Sequence, residues 1–341
     1  MVSPNFLVDY ARRCEPRLRS FLEGKRAQIE KLPVDLRPAF MQLRDYILRG
    51  GKRLRGALVE EGFKAGGGGD PAAVLDASVG VELLHAYLLI HDDFMDRDSV
   101  RRGGPTIHAA LGGDHLAGSV AILLGSLCQA WAWELVLAAP VAPERALEAA
   151  RLLATSLQEV TVGQTLDVVA TQAPPLDPAG VLEVQRLKTG SYSFELPLRL
   201  GALLAGAAPP VLDALSRYAR PLGQAFQIAD DLLGTFGAPE VTGKPNASDL
   251  REGKRTLLVA RALESATAAD AERLRDGLGR ADADVEQLRD ILRRSGAVDA
   301  ARAEAEKLRD EALRALENPA LPPATAQALR ELAVYAVGRA A

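Results

Sequence analysis

Cysteine, histidine and aromatic residues are all scarce in this chain, and each scarcity closes off a class of explanation. Two cysteines, Cys14 and Cys128, far apart among 341 residues and accompanied by only four histidines, suggest neither a disulfide framework nor a thiolate metal site. The cysteines read as reduced thiols of a cytoplasmic protein. Aromatics make up 5% of the residues and β-branched runs are few, which argues against a sheet-built core. The formal net charge is −4, without the basic stripe that a nucleic-acid surface requires. The N-terminal stretch MVSPNFLVDYARRCEPRLRSFLEGK is charged and lacks a signal-peptide core, so secretion is not expected. No period of 20 to 50 residues recurs, which excludes a solenoid.

What is present is Ala, Leu, Arg and Glu in apolar-periodic segments, within a composition that is 48% hydrophobic. Short Gly/Pro-rich breaks separate the segments at Gly66 to Asp70, Arg101 to Pro105, Gln172 to Pro178, Gly206 to Pro210, Gly234 to Ser248, Ser295 to Gly296 and Asn318 to Pro323. The pattern predicts an all-α fold of about a dozen helices. The chain is longer than the roughly 250 to 300 residues at which single cores usually divide, yet no linker is visible, so one domain over residues 1–341 is expected. The segment LAGSVAILLGSLCQAWAWELVL, Leu116 to Leu137, reaches the roughly 20 residues that span a bilayer. Gly125, Ser126, Gln129 and Glu134 interrupt it, so a buried central helix is predicted in place of a transmembrane segment. After about Ser265 the helices become charged and Ala-rich, as outer, half-exposed helices are.

Two apolar helices finish awkwardly. The first ends in HDDFMDRDSVRRGG, His91 to Gly104, and the second, GQAFQIADDLLGTFG, carries Asp230 and Asp231. A helix C-terminus is partly negative, so carboxylates there are unfavourable unless something positive faces them. Asp92 and Asp96, four apart, share one helical face, which continues through Leu88, His85 and Leu84, while Asp93 points about 100° away. A solvated acidic helix end would explain one such cluster, whereas two matching clusters also suit hard cations. Oxygen-only ligands point to magnesium completed by phosphate oxygens. Cations are at hand in GGKRLR (Gly50 to Arg55), Arg101-Arg102, Lys188 of KTGSY, and Lys244 and Lys254 of GKPNASDLREGKRT, all read as loop-borne. Arg offers a fork to phosphate oxygens and Lys a point charge, so the set outlines a site for a polyphosphorylated substrate.

In this order, GGKRLR, HAYLLIHDDFMDRDSVRRGGPTIH, GQTLD (Gly163 to Asp167), KTGSY, FQIADD, and GK with the later GKRT, the chain resembles the trans-prenyltransferases, the isoprenoid diphosphate synthases. The likeness covers roughly Arg44 to Thr256. It implies a single large helical bundle of the isoprenoid synthase type around a central cavity, acting as a homodimer on isopentenyl diphosphate and an allylic diphosphate. It also implies Mg2+, three ions per site, held by Asp92, Asp96 and Asp230 with Asp93 and Asp231 supporting. Arg101, Lys188 and Lys244 match residues that clasp the allylic diphosphate, with Lys254 nearby. Lys52, Arg55, His85 and Arg102 match those that bind isopentenyl diphosphate. Thr189 and Gln227 match polar groups facing the carbocation, and Gln164 and Asp167 a further active-site pair.

Three positions depart from the family's pattern. Gly234 stands in place of the third aspartate of the second motif, with Asp249 able to contribute through water. Gly56 stands where Pro is common, and Ser126 where an acidic residue often ends the central-helix motif. Product length is expected to be set above Asp92, where one turn rises about 5.4 Å, close to one isoprene unit. Tyr87, five residues before Asp92, is the first bulky candidate for a floor, with Leu88 beside it and Leu84 and Leu83 a turn further, and an aromatic there resembles short-chain geranylgeranyl diphosphate synthases. A C20 product is expected, with C15 the alternative. A class I terpene cyclase would not need GGKRLR, and a non-catalytic partner subunit would usually lose the first acidic motif.

Overall fold

The structure is a computed structural model that describes residues 3–170, 175–237, 248–280 and 282–338. Helices run throughout: α1 (Asn5–Ile29), α2 (Arg37–Leu48), α3 (Leu54–Ala65), α4 (Leu75–Met95), α5 (Ile107–Ala110), α6 (His115–Leu137), α7 (Pro143–Ala170), α8 (Pro178–Gln185), a π-helical segment (Arg186–Glu195), α9 (Leu196–Ala205) and α10 (Pro209–Phe236). Then come α11 (Ser248–Arg251), α12 (Leu257–Ser265), α13 (Ala268–Gly277), α14 (Val285–Arg294), α15 (Ala297–Ala315) and α16 (Pro323–Gly338). The all-α expectation holds, and the strands among the described residues are one two-residue pair, β1 (Val100–Arg101) and β2 (Gly104–Pro105). Helix starts are written locally: the side chains of Asp114, Asp177, Thr256, Thr267 and Asp284 each accept the backbone N–H three residues on.

The chain forms two compact units, one of Ser3–Leu152 with Pro197–Ala208, the other of Leu153–Leu196 and Pro209–Ala341. Neither is a continuous stretch of chain. In the first, α4 and α6 pack along their lengths around fully buried Val79, Leu83, Leu84, Ala121, Cys128 and Ala132. Helix α3 meets α9 backbone to backbone: a Cβ at Gly62 would lie 2.0 Å from the Leu198 carbonyl oxygen, so only glycine fits. In the second unit, α10 packs on α15 and on the π-helix, and the core gathers Ile228, Leu257, Leu258, Ile291, Ala301 and Leu308. The charged Ala-rich helices are half-exposed as expected, with Ala301, Ala305 and Ala312 of α15 buried.

Two helices, over Pro71–Met95 and His115–Leu137, are long and apolar enough to cross a membrane by length and composition. The first is mostly buried. The expectation for Leu116 to Leu137 needs correction, because this helix is not buried all round. Leu116, Leu123 and Leu137 are 70%, 68% and 51% exposed. Their spacing of seven residues puts them, with exposed Ala130, on one stripe opposite the buried face, so the apolar composition that suggested full burial serves two faces.

Candidate active site

The carboxylates closing α4 have different surroundings. Asp92 keeps 22% of its side chain accessible, whereas the Asp93 side chain is 1% exposed. Asp93 accepts from the Tyr46 hydroxyl at 2.6 Å and from Arg101 Nε at 2.6 Å. Arg101 also lies 3.7 Å from Asp92 and 3.1 Å from Asp98, and so supplies the positive charge that the helix end needs. Burial pushes the Asp93 carboxyl up, against the pull of Arg101 and Tyr46. Burial works against the charge of Arg101 too, but Asp93, Tyr46 and Asp92 hold its pKa above the ordinary value.

Arg101 is carried by the hairpin, in which Arg101 pairs with Gly104 across Arg102 and Gly103. Both turn residues are left-handed, with φ of 52° and 70°, the conformation of a two-residue type I′ turn. From this turn Arg102 Nη1 donates to the Gly50 carbonyl at 2.7 Å, which ties the hairpin to the GGKRLR loop. His85 is held well below its ordinary pKa, first by burial and then by Arg55, Arg102 and Arg101 around it. One unit therefore brings together Arg55, Arg102 and a neutral His85 beside the acidic end of α4, with Lys52 exposed in the same loop.

The second unit repeats the contrast. Asp230 is exposed and Asp231 buried, and Asp231 accepts from Gln185 Nε2 at 2.6 Å and Gln227 Nε2 at 2.8 Å. Burial, then Asp249 and Asp230, pushes the Asp231 carboxyl up. Gln227, expected to face a cation, thus places its amide on Asp231. Lys188 and Thr189 lie not in a loop but in the π-helix, a wide-turn element often found at functional sites. Helix α7 comes so close there that a Cβ at Gly163 would lie 2.4 Å from the Lys188 backbone nitrogen. Four residues on from Gly163, Asp167 pairs with Lys188 Nζ at 2.6 Å, and Gln164 sits on the same helix. Lys254 lies 2.8 Å from Glu252 and 3.4 Å from Asp249. Lys244 lies outside the described residues.

Gly234 is not a break but part of α10, which continues to Phe236. A Cβ there would lie 2.0 Å from Asp249 Oδ2. The buried Asp249 carboxylate therefore stands where a third aspartate of this motif would begin. Among the described residues no three His, Cys or carboxylate side chains form a ready-made metal cage. The donor set, accessible carboxylates beside buried, hydrogen-bonded ones, fits magnesium whose remaining ligands are water and phosphate oxygens. Leu84 is fully buried and Leu88 partly so. Tyr87 is half-buried and, five residues from Asp92, sits about 140° around the helix from it. Its ring contacts that of His91 at 4.6 Å, and His91 Nε2 is 2.9 Å from the Ile122 carbonyl of α6. Tyr46 and Gln185, each some 46 residues from its partner, carried no sequence signal.

Against known proteins, the chain matches the family described as Polyprenyl synthetase over residues 37–294. A geranylgeranyl diphosphate synthase of Methanosarcina mazei is 38% identical over 242 residues, 71% of this chain and 72% of that protein. A geranylfarnesyl diphosphate synthase of Aeropyrum pernix is 36% identical over 263 residues, 76% of this chain and 80% of that protein. Among solved structures, a geranylgeranyl pyrophosphate synthase from Corynebacterium glutamicum, complexed with isoprenyl diphosphate and magnesium, superposes with a TM-score of 0.92 at 32% identity. That likeness covers 97% of this chain and 98% of the other.

Proposed function

The chain belongs to the polyprenyl synthetase family, and on that premise we propose that this prenyltransferase joins isopentenyl diphosphate to allylic diphosphates (dimethylallyl, geranyl, farnesyl) to make a C20 trans-prenyl diphosphate. The observation that carries the reading lies within one unit: carboxylates at the end of α4 and an Arg55, Arg102 and neutral His85 group, joined through the hairpin that bears Arg101. Carboxylates alone would suit many metal sites. A diphosphate needs both the metal and the guanidinium forks.

Asp92 and Asp96 in one unit, and Asp230 in the other, are each assigned to magnesium, with Asp249 in place of the aspartate missing at Gly234. Magnesium would supply charge neutralisation on the leaving diphosphate. Asp93 and Asp231 orient their neighbours, since their own oxygens are taken by Tyr46, Arg101, Gln185 and Gln227. Arg101 in one unit, and Lys188, Lys244 and Lys254 in the rest of the chain, are each assigned to the allylic diphosphate, where cations stabilise the charge that accumulates as its carbon–oxygen bond breaks, an effect of several kcal/mol for preorganised groups. Lys52, Arg55, Arg102 and His85 bind isopentenyl diphosphate, whose double bond attacks the allylic carbon. Thr189 and Gln227 present oxygens to the cation, and Gln164 and Asp167 form a further active-site pair, of which Asp167 sets Lys188. The last proton leaves with the released diphosphate, so no side-chain base is assigned. Tyr87, Leu84 and Leu88 limit the product tail.

The whole chain acts as one synthase domain in the cytoplasm, and the exposed Leu116, Leu123 and Leu137 stripe supports pairing as a homodimer. The test is diphosphate release with each substrate omitted in turn. Release only when magnesium, farnesyl diphosphate and isopentenyl diphosphate are all present is expected. Release without isopentenyl diphosphate would instead indicate a cyclase or hydrolase; no release from farnesyl diphosphate with release from geranyl diphosphate would indicate a C15 synthase, and no release from either a non-catalytic chain.

A further inference from the structure

Between Lys52 and Arg55 stands a residue to which the reading above gives no task. Arg53 precedes α3 with a φ of 47°, left-handed backbone that L side chains resist. Gly50 and Gly51 before it also have positive φ, 88° and 136°, and glycine would have been the least strained choice at 53 as well. An arginine there calls for a compensating contact. Its side chain is 4% exposed, and Nε donates to Glu15 Oε1 of α1 at 2.8 Å. Nη2 donates to the Ile47 carbonyl of α2 at 2.9 Å, and Nη1 lies 3.7 Å from Glu82 Oε2 of α4. Glu82, itself buried, accepts the Gly56 backbone N–H at 2.8 Å through its other oxygen, and so caps an open amide in the first turn of α3.

Gly56 completes the arrangement. A Cβ there would lie 1.8 Å from the Tyr10 hydroxyl of α1. The proline common at this position in the family would collide with Tyr10 and could not donate to Glu82. This departure therefore belongs to the same buried network as Arg53. A buried ionic group of this kind is weak evidence for stability and better evidence for fixing one conformation.

We propose that Arg53, clamped between Glu15 and Glu82, is the positioning residue of the diphosphate-binding turn, holding the left-handed backbone that joins Lys52 to the first turn of α3, which carries Arg55. The inference rests on the assignment of Lys52 and Arg55 to isopentenyl diphosphate made above. With the loop prefixed, those cations need no ordering when the diphosphate arrives, and that saving belongs to the binding of one substrate. A lysine at 53 keeps the charge but cannot serve three acceptors with one planar fork.

Steady-state kinetics of Arg53→Lys and Glu15→Gln test this, with each substrate varied while the other saturates and Lys52→Ala as reference. For Arg53→Lys, the KM for isopentenyl diphosphate is expected to rise about ten-fold, the order lost when a supporting contact is removed. For Glu15→Gln, which keeps an acceptor but loses the charge that roughly doubles such a bond's strength, it is expected to rise about three-fold. In both, kcat and the allylic KM should change by less than about two-fold, the signature of lost uniform binding of one substrate. Folded variants with an unchanged isopentenyl KM, equal shifts for both substrates, or a loss confined to kcat would overturn the inference. Should Arg53→Lys fail to fold, Glu15→Gln decides alone, since Glu15 is 29% exposed at the edge of the network. If Lys52→Ala leaves the isopentenyl KM unchanged, the underlying assignment fails and the inference with it; a raised value there with silent Arg53 and Glu15 variants refutes only the inference.

Discussion

Gly234→Ala separates two physical arguments that predict opposite outcomes. Gly234 lies inside α10 with ordinary helical backbone, so helix propensity alone predicts that alanine stabilises the chain by about 1 kcal/mol. The new Cβ, however, would begin 2.0 Å from Asp249 Oδ2, and ordinary contact starts at 3.4 Å, so the carboxylate must retreat by about 1.4 Å. Because the obstructing atom ends a side chain, Asp249 can swing aside, and the melting temperature should stay within a few degrees of the parent's. Function should not be spared. If Asp249 serves the magnesium bound beside Asp230, a displacement above 1 Å is worth up to about 100-fold in rate. The assay is a magnesium titration of turnover alongside calorimetric magnesium binding in the presence of inorganic diphosphate, with thermal melting as the control. We expect turnover to fall 10- to 100-fold and half-saturating magnesium to rise, with Gly234→Asp/Asp249→Gly recovering much of both, consistent with the weight of contacts that support metal ligands. A folded Gly234→Ala protein with parental magnesium dependence would refute the role given to Asp249.

Other expectations follow from the same geometry. Tyr87→Ala should lengthen the product, and Gly125→Ala should do so more weakly, because its Cβ would lie 2.5 Å from the His91 ring that Tyr87 leans on; product chromatography checks both. His85, held below its ordinary pKa by burial and its arginines, stays neutral when folded but takes up a proton when unfolded. Stability should therefore be unaffected by this group above about pH 6.5 and fall as pH drops below it, and His85→Gln should flatten that acid limb in melts from pH 7.5 to 5. Cys14 is buried, with its thiol pushed up to about 12 chiefly by that burial, and Cys128 is shifted the same way, so a disulfide reagent should label neither until the chain is unfolded.

The first acidic pair was legible in the sequence because its cost is local: carboxylates ending an apolar helix pose an electrostatic problem that needs no tertiary knowledge. The second was found by its likeness to the first, although α10 runs on beyond Asp231 to Phe236 and the pair does not end its helix. The partition of work within each pair was not legible. That Asp93 and Asp231 are buried and hydrogen-bonded depends on Tyr46 and Gln185, which reach them across the fold. Lys188 reads as loop-borne because Gly190 follows it, yet the local glycine signal lost to close packing of the π-helix on Gly163 and on Gly223, whose Cβ would lie 2.8 Å from the Gly190 Cα. The Leu116 to Leu137 segment shows a limit of composition, which reports how apolar a helix is without saying which of its faces the same chain covers. Gly56 and Gly234 look like defects in their motifs and turn out to be matched to Tyr10 and Asp249, residues that no local spacing connects to them.

The most direct test of prenyl transfer by this chain is mass spectrometry of the product formed from farnesyl diphosphate and carbon-13 isopentenyl diphosphate with magnesium. A C20 diphosphate carrying one labelled five-carbon unit, with one inorganic diphosphate released per unit added, is the predicted result. An unlabelled hydrocarbon or alcohol, or recovery of both substrates unchanged by a folded protein, would contradict it.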